Sequence, residues 1–128
     1  MKKAIFTTDA PAPIGPYNQA ILSGNTLYVS GQIAINPANG QLVNGSVEEE
    51  ARQVMANLKV VLAKAGFGFE DVVKSTIFLT DMALFPLVNE IYGSFFSGEF
   101  PARETVAVAG LPKSVNVEIS VIAVKQQA

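Results

Sequence analysis

Two residues in the last third of the chain have the chemistry needed to handle a small organic acid. Only two of the nine basic residues are arginines, Arg52 and Arg103. Arg103 opens a run with strand character, and a guanidinium anchored at a strand end offers a carboxylate a planar fork of donors. Glu118 lies inside the apolar run 115–124. A carboxylate there is costly to bury, so it needs a partner or a task.

A structural explanation competes with this functional one. A simple ion pair, or a solvated face of a sheet, would account for the same two residues without any activity. The rest of the chain has to decide between the two interpretations.

Composition narrows the possible chemistry. The sequence has no cysteine and no histidine, which excludes cysteine nucleophiles, Ser-His-Asp triads and most transition-metal sites. The net charge of −2 gives no basic footprint for nucleic acid. Catalysis must therefore use Arg, Glu, Asp, Lys, Tyr, Ser, Thr, backbone groups and water.

The apolar content predicts a partner. Residues 1–128 are expected to form one domain, yet 49% of them are hydrophobic and the mean hydropathy is +0.32. No apolar run approaches a membrane span and no secretory signal is evident. The surplus apolar surface indicates an oligomer, and the absence of cysteine fits a reducing cytoplasm.

The order of elements predicts an α+β fold. Residues 4–7, 20–22 and 26–35 are predicted strands, and the last two form a hairpin around Ser23-Gly24-Asn25. A capping box from Ser46 to Glu49 begins a helix that ends at Gly66. A strand over 72–80, a helix over about 83–96 capped by Asp81, and two more strands follow. The result is a mixed sheet with both helices on one face.

Alternation along the last strands predicts which residues meet. Val117, Ile119 and Val121 share one parity and are expected beneath the helices, which puts Glu118 on the helix-free face. If the last two strands form a hairpin at the Pro112 turn, Arg103 and Thr105 share that face with Glu118. Glu104 then points away. Parity does not say whether such a site lies within one subunit or between two.

Four further positions are ambiguous on their own. Tyr17 follows a proline-rich loop and is either a packing aromatic or a site phenol. Ser30 has the character of an ordinary strand serine, and Asn89 that of a surface residue unless a cleft lies beside it. Gly31 interrupts a strand, which indicates a bulge or a close approach to the backbone.

Taken together, these stretches resemble the YjgF/RidA family of reactive-intermediate deaminases. The resemblance rests on pieces that occur in order along nearly the whole chain: Ile14-Gly15-Pro16-Tyr17-Asn18-Gln19-Ala20, Ser30-Gly31-Gln32-Ile33, Val72-Val73-Lys74-Ser75-Thr76, Leu79-Thr80-Asp81, Val88-Asn89 with Tyr92 and Phe95-Phe96, Pro101-Ala102-Arg103, and Val117-Glu118-Ile119. The Pro-Ala-Arg start combined with the Val-Glu-Ile strand is highly specific, whereas the single pieces are not.

The resemblance implies a chorismate-mutase-like fold of the Bacillus type, with about six strands and two helices on one face. It also implies a cytoplasmic homotrimer with clefts between subunits and no cofactor or metal. Members hydrolyse short-lived enamines and imines such as 2-aminoacrylate and 2-aminocrotonate to 2-keto acids and ammonia. Pyridoxal-phosphate-dependent dehydratases release those substrates.

Roles carry over by position. Arg103 would hold the substrate carboxylate with the Gly31 N–H, Glu118 would position or activate water, and Tyr17 would line the cleft. Ser30, Asn89 and Thr105 match further ligand-contacting positions.

Two positions depart from the family pattern. Many relatives have a cysteine where this chain has Thr105, so a thiol role at that position is impossible here. Relatives usually have a small residue where this chain has Glu104.

Two other functions compete with deamination. The same arginine would serve a non-catalytic protein that binds 2-keto acids or short carboxylates. Nuclease or translation-inhibitor activity has been attached to relatives, but the acidic charge balance argues against it here.

Overall fold

The computed structural model describes residues 1–126. Its elements in chain order are β1 (Lys2–Ile5), β2 (Ala20–Ser23), β3 (Thr26–Gln32), α1 (Val47–Lys64), β4 (Val72–Leu79), α2 (Phe85–Gly93), β5 (Ala102–Ala107) and β6 (Val117–Val124). No helix in this part of the chain is long and apolar enough to cross a membrane.

All six strands form one mixed sheet in the order β1-β2-β3-β6-β4-β5. The β4–β5 pair is parallel and the other neighbours are antiparallel. The predicted fold class is confirmed: a six-stranded mixed sheet with two helices. The predicted hairpin of β2 and β3 is also confirmed, with Ser23 opposite Thr26.

The alternation of buried and half-buried residues shows which face the helices cover. Val117 and Ile119 are fully buried and Val121 nearly so, whereas their neighbours on β6 are only partly covered. The buried apolar residues of α1, α2 and the sheet form one hydrophobic cluster. The predicted orientation of β6 is therefore correct, and Glu118 lies on the helix-free face.

Local signals define the ends of α1. Ser46 Oγ accepts a hydrogen bond from the Glu49 N–H at 3.1 Å, which caps the first turn. At the other end Gly66 adopts a φ of +84°, and the Phe67 N–H donates to the Leu62 carbonyl at 2.9 Å. This is the hydrogen bond of a Schellman ending, as the glycine predicts.

The second helix is shorter than predicted. Asp81 was predicted to cap this helix, but its Oδ1, which accepts from the Ala83 N–H at 2.8 Å, caps a 3₁₀ turn over residues 82–84 instead. The helix α2 begins after that turn, at Phe85, without a side-chain cap. Pro86 has no N–H to donate back to residue 82, so the α-helical bonding pattern starts only beyond it. Of its large side chains, Leu87 is exposed and Tyr92 is buried.

The predicted hairpin of the last two strands is wrong. β5 pairs in parallel with β4, and β6 inserts between β3 and β4. A strand that follows β4 through a helix returns parallel to it, as crossover connections require. β6 buries every second residue, whereas β5 buries none fully. The more apolar strand therefore takes the centre and the polar one takes the edge.

Candidate active site

The predicted site residues separate into two cavities. The first, here called the Glu118 cavity, has a volume of about 400 Å³ and includes Tyr17, Ser30, Gly31, Ile33, Pro112 and Glu118 in its lining. The second, here called the Arg103 cleft, measures about 370 Å³ and is lined by Asn89, Tyr92, Gly93, Phe100, Pro101 and Arg103.

Strand register shows that the two cavities lie on opposite faces of the sheet. On β4, Ser75 is opposite Arg103 and Phe78 is opposite Glu118. Residues three apart on a strand point to opposite faces. Arg103 therefore extends on the helix side and Glu118 on the helix-free side. The expectation that both share the helix-free face is overturned, because it rested on the hairpin that does not form.

Gly31 brings Glu118 against the backbone of β3. The β3–β6 register shifts between Val29 and Gln32, and a Cβ on Gly31 would lie 2.7 Å from Glu118 Oε2. A side chain at this position would displace the Glu118 carboxylate from the place it occupies. Both predictions made from this glycine, a bulge and a close approach, are confirmed.

Burial sets the electrostatics of Glu118. Its side chain is half-buried and forms no ion pair with residues 1–126. Removal from water raises the pKa of the Glu118 carboxyl above its ordinary value. A carboxyl with a raised pKa exchanges protons more readily near neutral pH, which is the property a general acid/base needs.

A buried carboxylate on α1 fixes the start of β6. Glu50 is 1% exposed. Its Oε2 accepts from the N–H groups of Asn116 and Val117 at 2.7 and 2.9 Å, and its Oε1 accepts from Asn116 Nδ2 at 3.0 Å. These bonds satisfy the carboxylate with neutral donors. They hold the backbone immediately before Glu118.

The proline-rich loop is held by a buried amide. Gln19 Oε1 accepts from the Thr7 N–H at 2.8 Å, and its Nε2 donates to the carbonyls of Thr7 and Pro11 at 3.0 and 2.9 Å. Ser30 Oγ donates to the Asn18 carbonyl at 2.6 Å. Ser30 thus secures the loop beside Tyr17, which lines the cavity and remains exposed.

Arg103 is held by uncharged partners. Its Nη1 donates to Asn89 Oδ1 at 2.7 Å, and its guanidinium carbon lies 5.4 and 5.2 Å from the ring centroids of Phe85 and Tyr92. It makes no ion pair with the described part of the chain. The positive charge is therefore oriented but not neutralised, which suits an anionic ligand.

Two neighbours of Arg103 on β5, Glu104 and Thr105, lie on opposite faces of the sheet. Glu104 lies on the helix-free face and pairs with Lys74 at 3.0 Å, so it points away from Arg103 as predicted. Thr105 lies on the same face as Arg103, in register with Ile77. Its Oγ1 is enclosed and has no hydrogen-bond partner among residues 1–126.

Sequence reasoning missed Phe85, Tyr92 and Phe100 around the arginine and Pro112 beside the glutamate. Phe85, Asn89 and Tyr92 are spaced i, i+4 and i+7, the spacing of one helix stripe. That spacing could have placed Phe85 and Tyr92 beside Asn89 before the structure was known. Pro112 had none, because its position depends on how the 108–116 segment returns to the sheet.

The architecture is that of the chorismate-mutase-like α+β proteins, and comparisons with known proteins place the chain within that class. A family model described as Endoribonuclease L-PSP matches residues 7–125. The mouse 2-iminobutanoate/2-iminopropanoate deaminase is 50% identical over 125 residues, which cover 98% of this chain and 93% of that protein.

Solved structures of similar proteins have the same fold as this chain. A structure from Thermotoga maritima has a TM-score of 0.96 and 50% identity, covering 99% of this chain and 100% of that one. Escherichia coli TdcF with bound serine has a TM-score of 0.93 and 39% identity, covering 97% and 99%. The chain belongs to the YjgF/RidA family.

Proposed function

We propose that this protein is a hydrolytic deaminase that converts 2-imino acids and their 2-enamine tautomers to 2-keto acids and ammonia. The observation that carries the proposal is an oriented guanidinium at Arg103 that no carboxylate neutralises among residues 1–126. The half-buried carboxyl of Glu118, in a separate cavity of the same chain, supplies a candidate acid/base group. The deaminase names of relatives at about 50% identity support the same activity.

The chemistry needs few groups. Arg103 and the Gly31 N–H hold the substrate carboxylate, which brings the electrophilic imine carbon and one water together. Glu118 takes a proton from the water as the water oxygen bonds to the imine carbon, and passes it to the imine nitrogen to give a carbinolamine. Glu118 then moves the hydroxyl proton to the amino nitrogen as the C–N bond breaks, which forms the keto group and releases ammonia.

The remaining residues serve the substrate indirectly. Tyr17 closes the Glu118 cavity, and Ser30 holds the loop that carries it. Asn89 binds Arg103, so its contribution to substrate binding runs through that arginine. The enclosed Thr105 hydroxyl lacks a partner in the described residues, and a buried hydroxyl favours acquiring one. We assign it to the ligand seated at Arg103.

A complete site requires two subunits. Within one chain the residues lie on opposite faces and two strand spacings apart, about 10 Å, so one small acid does not touch both. Two different half-sites that complete each other make a head-to-tail contact, and such contacts form a ring when the rotation between copies closes. We propose the homotrimer, in which the helix-free face packs against the neighbouring copy. Exposed Tyr28 and Val106 on that face fit such burial.

Mixing two inactive variants tests this assembly. Random mixed trimers of Arg103→Ala and Glu118→Gln are expected to recover about a quarter of wild-type activity, because each site draws one residue from each of two neighbours. The measurement is turnover after the two proteins are refolded together. Trimers of each variant refolded alone are the controls. If mixing restores nothing although mixed trimers form, the two residues do not meet across subunits.

A coupled assay tests the activity itself. A cytoplasmic pyridoxal-phosphate-dependent threonine or serine dehydratase would generate the imine, and keto-acid appearance would be followed with and without this protein. Wild-type protein is expected to accelerate hydrolysis and the Arg103→Ala variant is not. If wild type leaves the rate unchanged while folded and trimeric, the deaminase proposal is lost for these imines.

A non-catalytic carboxylate-binding role is the second candidate. The arginine supports it as well as it supports the enzyme, and the relative solved with bound serine holds a small amino acid. Glu118 favours the enzyme, because a half-buried carboxyl against the backbone of Gly31 supplies the acid/base group that hydrolysis needs and simple carboxylate binding does not. Keto-acid binding without any imine turnover would favour this candidate.

A further inference from the structure

The guanidinium of Arg103 rests on a single stripe of α2. Phe85, Asn89 and Tyr92 occupy positions i, i+4 and i+7, which share one face of a helix. The two rings lie 5.4 and 5.2 Å from the guanidinium carbon, and the amide oxygen between them accepts at 2.7 Å. All three partners are uncharged, so they orient the arginine without competing for its charge.

Tyr92 is itself fixed from the strand next to Arg103. Its side chain is 3% exposed, and its hydroxyl donates to Ser75 Oγ at 2.8 Å. Ser75 is fully buried and stands directly opposite Arg103 in the β4–β5 register. The ring is therefore anchored to the position on β4 that the arginine pairs with on β5.

The remaining contacts of the ring keep it rigid. Tyr92 packs against Phe96 with centroids 4.8 Å apart. Burial raises the pKa of the phenol, so the hydroxyl stays protonated near neutral pH and remains a donor to Ser75. A cation held over the face of such a ring is attracted by the ring quadrupole.

We infer that Tyr92, held by Ser75, is a positioning residue that presets Arg103 for the substrate carboxylate. A free arginine side chain loses rotamer freedom when it binds an anion, and a preset one has already lost it. Tyr92 thus acts on affinity for the acid rather than on proton transfer. The inference deepens the proposed function, since it rests on Arg103 being the carboxylate site.

Three variants separate this role from simple core packing. Tyr92→Leu removes the ring, Tyr92→Phe keeps the ring but loses the hydroxyl, and Ile91→Ala is a matched control. Ile91 neighbours Tyr92 on α2 and is equally buried, at 3% exposure, but it is not among the residues that line the Arg103 cleft. The readouts are the dissociation constant for 2-oxobutanoate by calorimetry, the midpoint of thermal unfolding, and KM and kcat on the imine.

Tyr92→Leu is expected to weaken 2-oxobutanoate binding and raise KM by about 5- to 30-fold, the range of a cation–π contact. Its kcat should fall less than its KM rises. Tyr92→Phe is expected to bind within about threefold of wild type, because the ring remains. Ile91→Ala should lower the unfolding midpoint and leave the dissociation constant unchanged.

Two other results would overturn the inference about Tyr92, and a third would overturn the deaminase proposal alone. If Tyr92→Leu lowers the unfolding midpoint but binds 2-oxobutanoate like wild type, Tyr92 is a core residue only and the inference is overturned. If Ile91→Ala weakens binding as much as Tyr92→Leu, the effect comes from general loosening, and the inference is again overturned. Wild type that binds 2-oxobutanoate but leaves imines untouched would defeat the deaminase proposal, and the binding comparison would still decide the role of Tyr92.

Discussion

Arg103→Ala is expected to lower kcat/KM for 2-imino acids by about 10²- to 10⁴-fold, because hydrogen bonds to charged groups contribute roughly 1.5–3 kcal/mol each and a carboxylate takes two from one guanidinium. Affinity for 2-oxobutanoate should fall in parallel. Stability should change little, since Arg103 makes no ion pair in the described residues and its Asn89 partner is exposed to water.

The chain contains a matched control for this variant. Arg52 is the other arginine, and it pairs on the helix surface with Glu48 at 3.2 Å. Arg52→Ala removes the same charge, and an exposed i,i+4 pair is worth little, so activity should match wild type. Arg103→Lys keeps the charge without the planar fork and should recover only part of the affinity. Unfolding or loss of assembly in Arg103→Ala would show that Arg103 is structural.

Glu118→Gln is expected to reduce kcat by about 10²- to 10⁴-fold, the usual contribution of a positioned general acid/base. The amide has nearly the shape of the carboxyl and fits beside Gly31, but it does not carry a proton from water to the leaving nitrogen. Binding of 2-oxobutanoate should be retained because Arg103 is untouched. Single-turnover rates and calorimetry measure the two effects separately.

The pH dependence of the rate provides a second test of the role of Glu118. Burial raises the pKa of Glu118 in the folded protein, so the rate should rise as the pH climbs through that raised value and Glu118 ionises. The contribution of Glu118 to the free energy of unfolding changes with pH in the opposite direction to the rate. The folded state holds this proton more tightly, so the contribution of Glu118 to the free energy of unfolding is greatest below the ordinary glutamate pKa and is lost as the pH rises through the raised one.

Glu118→Gln should abolish both pH effects. Glu70→Gln is the control, since it removes one exposed carboxyl far along the chain from Glu118 and should leave both pH profiles as in wild type. A Glu118→Gln variant that turns over like wild type would end the acid/base assignment. An acid limb that persists in Glu118→Gln would assign the titration to another group.

Features that depend on neighbouring residues could be predicted from the sequence. Ser46 and Gly66 mark the ends of α1 because a cap and a left-handed glycine act within one turn. The parity of Val117 and Ile119 assigned Glu118 to the helix-free face, since side chains on a strand alternate. Gly31 indicated a close approach, and the structure places the Glu118 carboxyl there.

The order of strands in the sheet depends on the whole fold and could not be predicted from local sequence. The predicted hairpin joined the last two strands because they are adjacent in sequence, but pairing depends on competition among all six for the buried centre of the sheet. β6 is the more apolar strand and lies in the centre of the sheet, where β4 separates it from β5. This arrangement puts Arg103 and Glu118 on opposite faces and divides the candidate site in two. Burial summed over the whole sheet, rather than any local signal, sets that outcome.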